Sequence, residues 1–455
     1  MKPAVKKIFF RLLVVAVCLI ILGMVRFAVW RVKLANDNAR QIAEIHAAGL
    51  PTSGEEENNY YSAVPDSENA ALKMAGAFVV MTNYSDQRSN EVASIKFPNR
   101  KGDLTTKEME LVAGYCAMNS NALTQAEEAS RLGRGRYPID LSLGAHVSLK
   151  HLVLLKRLVQ LDAFQIIVRA KNPTKEISTI IGMAHSLDEE PVLISKLVRI
   201  AMLKIAVAAL EHRLNEDALS DSDMELLCKM FAEAAKTNQM ANAFIGDRAC
   251  FLSVFNMKPD EIAQLADSDE ERSSKRTKKL FAGFQYYLGR FAGVFDLDKK
   301  IYLQVMATNI FLASTFPKSI SPINDLAETT SRKFQNSRFR FTLSKMLLPP
   351  FRSAIAKEAT SLSEVQTAQT ALAVERFRLA HGKLPEKLDE LVPQFLSNVP
   401  TDPFDSEPLR FKLMEKGYVI YSIGSDGEDN GGRERPADVK SSDKTPYDIT
   451  FTVER

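Results

Sequence analysis

Cysteine is scarce: Cys18, Cys116, Cys228 and Cys250 are the four in 455 residues. A disulfide framework needs more of them in a far shorter chain, and no pair has the C-x-x-C spacing of a zinc or redox centre. Cys18 lies in an apolar run. One bridge among Cys116, Cys228 and Cys250 stays open, but the reading is of buried free thiols. Tryptophan occurs once and tyrosine eleven times, too few for a platform that stacks bases. Neither sign of charge dominates. The net charge is +3, with Lys and Arg spread among Asp and Glu, so the concentrated basic face of a nucleic-acid binder is missing.

Catalytic signatures are missing as well. No H-E-x-x-H, phosphate loop, dinucleotide glycine motif or nucleophile elbow occurs. Gly133-x-Gly135 has no strand ahead of it. His146 and His151 are five apart, a spacing that does not put them on one helix face. Glu189-Glu190 stands beside Pro191 at a helix break and reads as a solvated turn, not an acid–base pair. No small-molecule substrate is indicated.

Long apolar runs are limited to one. Residues 12–25 carry no charge, and 8–30 reach the length that crosses a bilayer, with Arg11 and Arg26 placed to snorkel and Trp30 suited to the interface. A cleaved signal would end in small residues; here Val25-Arg26-Phe27-Ala28-Val29-Trp30-Arg31 is bulky and basic, so the run is expected to stay as an anchor. Basic residues flank both ends, so charge alone decides little about orientation. The short tail, 1–7, favours an N-terminus inside the cell.

What remains is mostly helical in pattern. Residues 31–95 read as a stalk and linker with one short helix. The linker itself falls at 49–59, around Pro51, Gly54 and three consecutive Glu. Asp66 or Ser67 is expected to cap a helix carrying Leu72, Met74 and Phe78. Residues 96–350 form a helical domain, with apolar periodicity over 148–169, 177–187 and 192–214. A fourth helix is capped at 220–223. Polar turns between them imply antiparallel hairpins. The charged stretch 259–279 reads as a solvated face or loop. The aromatics over 280–315, from Phe281 to Phe295, read as core. Pro349-Pro350 marks a boundary.

Residues 351–455 have a different grammar. An amphipathic helix over 353–380 ends at His381-Gly382, and 388–392 make a helical turn. Then Leu409, Phe411 and Leu413 alternate with polar residues, Gly417 turns the chain, 418–423 form a partner strand, and Tyr447, Ile449, Phe451 and Val453 alternate in a third. The order of Gly382-x-x-Pro385, Asp402-Pro403-Phe404 and the Tyr-Ser-x-Gly-x-Asp-Gly run at Tyr421 to Gly427 resembles the globular head of the major pseudopilins of type II secretion. The resemblance covers 368–451. It implies a long helix on a three-stranded antiparallel sheet, and a calcium ion held by Asp426 and Asp448, with Asp429 as an extra ligand; calcium suits such an irregular oxygen set. The residues themselves also allow a plain turn at Asp426-Gly427. The pilin leader and its glutamate are absent, and more than three hundred residues separate anchor from head. The whole chain resembles uncharacterised single-pass proteins of the planctomycete and verrucomicrobial type.

The expected fold is therefore mainly α: a membrane-anchored helical-hairpin ectodomain followed by a small α+β pseudopilin-like domain. The expected role is a non-enzymatic scaffold of the cell envelope, anchored in the bacterial inner membrane with its ectodomain in the periplasm. The partners would be the membrane and envelope proteins, not nucleic acid. The alternatives are an accessory part of a type II secretion or type IV pilus-like system and, least favoured, a hydrolase hidden in the helical region.

Overall fold

A computed structural model describes residues 3–82, 91–92, 94–169, 173–236, 240–267, 284–316, 342–348, 351–436 and 445–455. The first element, α1 (Pro3–Ala47), is 45 residues long, about 68 Å at roughly 1.5 Å per residue. Its apolar stretch starting at Phe10 is long and apolar enough to cross a membrane, and its side chains are exposed. From Leu34 onward the same helix becomes amphipathic, with Leu34 and Asn38 buried. The apolar stretch and the expected stalk are thus one continuous helix.

The expected linker at 49–59 is instead structured. Ser53 Oγ accepts the Glu56 N–H (3.2 Å) and caps α2 (Gly54–Tyr60), whose three Glu sit in the first turn, where a helix dipole favours negative charge. Gly54 lies so close to the Leu141 carbonyl that a Cβ there would be 1.9 Å from it. The cap of α3 (Ala70–Val80) also differs from expectation. Residues 66–68 make a separate 3₁₀ turn, and Asn69 caps through Oδ1, accepting from Ala71 N–H (3.0 Å) and Arg136 N–H (2.9 Å).

Among the described residues there follow α4 (Thr106–Met118), α5 (Ser120–Ser130), α6 (Lys150–Arg169), α7 (Pro173–His185), α8 (Leu193–Glu216), α9 (Asp221–Lys236) and α10 (Met240–Phe251). Then come α11 (Pro259–Asp267), α12 (Phe284–Phe291), α13 (Val294–Thr315) and α14 (Thr342–Leu347). Most of the charged stretch, 268–279, and Phe281 and Pro349-Pro350, lie outside the described residues. The aromatic stripe is only partly core. Tyr286 and Phe295 are buried, but Tyr287 and Phe291 are 66% and 71% exposed.

The longest helix after the first is α15 (Phe351–His381). It packs on α8 and α9 and also lies against the strands β2 (Tyr418–Ser422) and β3 (Ile449–Val453). With β1 (Arg410–Leu413) these form one antiparallel sheet in the order β1-β2-β3, with Phe411 opposite Ile420 and Ile420 opposite Phe451. Gly417 closes the first hairpin at φ 78°, and a Cβ there would strike the Val453 carbonyl at 1.8 Å. The chain is therefore mainly helical, with a long apolar N-terminal helix and a small sheet near its C-terminus, as the sequence pattern implies.

Among the described residues two large apolar clusters, beside a small third of Tyr61, Leu141 and Cys250, form the core, and α15 runs through both large ones. Ala354, Ile355 and Ala359 belong to one, with α10, α13 and α14; Val365, Leu372, Val374 and Phe377 belong to the other, with α3 to α9 and the sheet. Ala368, Ala371 and Ala373 let neighbours approach this helix on several sides, and the buried Thr370 hydroxyl donates to the Gln366 carbonyl (2.7 Å). Helix α15 belongs to the helical core as much as to the sheet.

Candidate functional site

The C-terminal motifs converge on one carboxylate. Asp402 is fully buried. Its Oδ1 accepts the Phe404 N–H and the Ser422 hydroxyl, both at 2.9 Å; its Oδ2 accepts the Ile423 N–H and Arg410 Nη1, also at 2.9 Å. The Asp-Pro-Phe and Tyr-Ser-x-Gly motifs are therefore two halves of one latch. A charged acceptor satisfied by four donors is stable when buried and has no capacity left for chemistry.

The loop beyond β2 is organised by a second carboxylate. Asp448 is 5% exposed, and its oxygens accept backbone N–H bonds from Asn430 (3.2 Å), Gly432 (2.7 Å) and Arg433 (3.1 Å). Asp426 is exposed and accepts the Glu428 N–H within its own turn (3.2 Å); Asp429 does the same for Gly431 (2.9 Å). Asp426 and Asp448 line the same cleft, of about 580 Å³, between this loop, α8 and α15. Asp448, turned onto amides, keeps little coordination capacity for a cation, and Asp429 points its Oδ1 to its own turn. Lys440 and Lys444 lie outside the described residues.

The free edge of β3 is covered by side chains of α8. The Thr452 N–H donates to Glu211 Oε1 (2.7 Å), Asn215 Nδ2 donates to the Thr452 carbonyl (2.8 Å), and the Glu454 N–H donates to Asn215 Oδ1 (2.7 Å). Burial pushes the Glu211 carboxyl up to about 7, against the Thr452 amide and nearby Arg100, which pull it down. Alternation alone does not reveal this docking, because Glu211 and Asn215 look like ordinary polar positions on a helix.

The helical region holds a buried polar cluster that overturns the reading of Glu190. Glu189 does lie at the surface, paired with Arg134 (2.9 Å). Glu190 is fully buried. It holds His151 Nε2 at 3.1 and 3.0 Å from its two oxygens and accepts the Ser195 hydroxyl. The His151 ring stacks on Tyr137 (4.3 Å), whose hydroxyl meets Ser186 Oγ at 2.9 Å. Beside it, Lys196 Nζ donates to the Leu187 carbonyl (2.8 Å) and to that of Asp188; burial pushes this amine down to about 7. Asp188 in turn holds Arg199 and His185. The physical reason is local: Pro191 stops the chain where α8 must start, and the partnered Glu190 ties that start to α6. Ser195 and His151 each bond to Glu190 and not to one another. Cys116, Cys228 and Cys250 are free, buried thiols, each donating to a main-chain carbonyl.

No family model, curated protein or solved structure matches this chain.

Proposed function

We propose that this chain is a membrane-tethered scaffold of the bacterial cell envelope. Its helical body sits against the bilayer, and the α15–sheet unit is its contact module. The carrying observation is the junction where α1 leaves its exposed apolar stretch. There Arg31 pairs with Asp296 (2.6 Å), Asn38 Nδ2 donates to the Asp296 carbonyl (2.9 Å) and Lys300 pairs with Asp37 (2.7 Å). At the same level Phe27 meets Phe291 at 5.6 Å and Trp30 at 5.9 Å. The exposed Tyr287, Leu288 and Phe291 thus continue the apolar surface of α1 onto α12, which makes α12 an interfacial helix lying in the head-group layer. This accounts for the aromatic positions that fail to reach the core. The pseudopilin resemblance supports the inner membrane and a periplasmic body as the setting. The closed polar clusters support a role without bond-making.

Trp30, the one tryptophan, is the reporter. In full-length protein reconstituted into vesicles, its emission should be quenched by lipids brominated near the head group and shielded from aqueous iodide. Free quenching by iodide rejects the anchor. Co-purification with secretion components would favour the narrower role in a secretion or pilus-like machine. A melting temperature raised by calcium, and no longer raised in Asp426→Ala, would add calcium to the module.

A further inference from the structure

A second set of residues, away from the C-terminal loop, has the chemistry of a transition-metal site. His212, on α8, is 2% exposed. Its Nε2 lies 3.4 Å from the Gly102 carbonyl, so the ring donates there, and in the neutral imidazole this leaves the lone pair on Nδ1. That buried Nδ1 has no hydrogen-bond partner. It faces Glu216 Oε2 at 3.8 Å, one helical turn on, and the ligand atoms of His212, Glu216 and Asp103 all lie within 4.8 Å of one another.

Three potential ligand atoms thus converge, and the gap between Nδ1 and Glu216 is too long for a hydrogen bond. Glu216 is partly balanced by Arg213 Nη1 (3.4 Å); Asp103, on the loop before α4, is exposed. A cation is the simplest occupant. The imidazole nitrogen selects the class, because calcium and magnesium take oxygen ligands, whereas zinc-like ions take imidazole with carboxylates. The bond from Nε2–H to a main-chain carbonyl is the outer contact that orients a metal-bound histidine. Tetrahedral zinc would need its ligands ~3.4 Å apart, with bonds of ~2.1 Å. The exposed Asp103 and Glu216 side chains can close that difference by rotation.

We propose that His212, Glu216 and Asp103 bind one divalent zinc-class ion. Three protein ligands leave one position for water, and Asp103 also lines a cleft of about 690 Å³ in which that water has room. The ion would staple the loop before α4 to the end of α8, close to the docked edge of β3. This site does not depend on the membrane reading.

Its test uses the full-length chain in detergent, stripped by chelator and titrated separately with Zn²⁺ and Ca²⁺. Expected are one saturable Zn²⁺ equivalent, a melting temperature raised by it, and no competition by Ca²⁺ for that equivalent. Asp103→Asn and Glu216→Gln alter exposed side chains, so both should melt like the unaltered protein in chelator, while each weakens Zn²⁺ binding at least ~10-fold. Cobalt substitution should give visible absorption bands that are lost in both variants. Absence of saturable one-equivalent binding overturns the proposal, as does binding indifferent to both substitutions; the latter would place the ion elsewhere.

Discussion

At the residue scale, Glu57 is the side chain least matched to its surroundings. It is fully buried, and neither carboxylate oxygen has a hydrogen-bond partner. Burial pushes it up to about 7, with Arg248 pulling down and Asp247 pushing up. The sign follows from linkage. The folded state holds a proton that the unfolded chain releases near the ordinary carboxyl value, ~4.3. Stability from this group is therefore complete below that value and is lost as pH rises through about 7. Glu57→Met removes both the charge and the orphaned oxygens. The variant should be more stable at pH 8 by about 1–3 kcal/mol, and its stability should fall less between pH 5 and pH 8. Urea midpoints at the two pH values measure this; an equal fall in both proteins would contradict it. Asp402 is the opposite case. It is as deeply buried, but four donors surround it, and its place in the Asp-Pro-Phe motif makes it visible in the sequence while its partners across the sheet are not.

At the element scale, the docking of β3 onto α8 replaces an open sheet edge with side-chain hydrogen bonds. An unprotected edge is a template for pairing with other chains. Asn215 supplies two of the three bonds, one as donor and one as acceptor. Asn215→Ala should leave two main-chain groups poorly satisfied, cost about 1–3 kcal/mol and raise the tendency to self-associate. Thermal melts and light scattering would check both effects, and a monodisperse variant of unchanged stability would refute them. Element positions are the part most open to sequence reasoning. Apolar periodicity finds α6 to α8, the cap at Ser220 finds α9, alternation finds β1 and β3, and the turn at Gly417 finds β2 between them. Contacts between elements are less open to it. Glu190 follows a turn in sequence yet is enclosed by α6 and α8, and the three Glu of α2 look solvated although Glu57 is not. Pattern reports which face of an element is apolar, whereas burial of a polar side chain depends on what other elements bring to it.

At the scale of the whole molecule, α15 decides how the parts respond to one another. Because its first half lies in one apolar cluster and its second half in the other, neither cluster can lose this helix without exposing part of its own core. Helical region and sheet should therefore open together, even though their sequence grammars differ. Ile355→Ala and Leu372→Ala each remove a fully buried side chain, one from each cluster, at an expected cost of about 2–5 kcal/mol. The distinguishing quantity is where the loss is felt. Hydrogen exchange resolved over α13, α8 and β2 should show loss of protection in all three for either substitution, with coincident urea midpoints for the full-length chain. If Ile355→Ala released only α13 and its neighbours while the sheet kept its protection, the helix would be a linker between separate domains, and the single cooperative body would have to be abandoned.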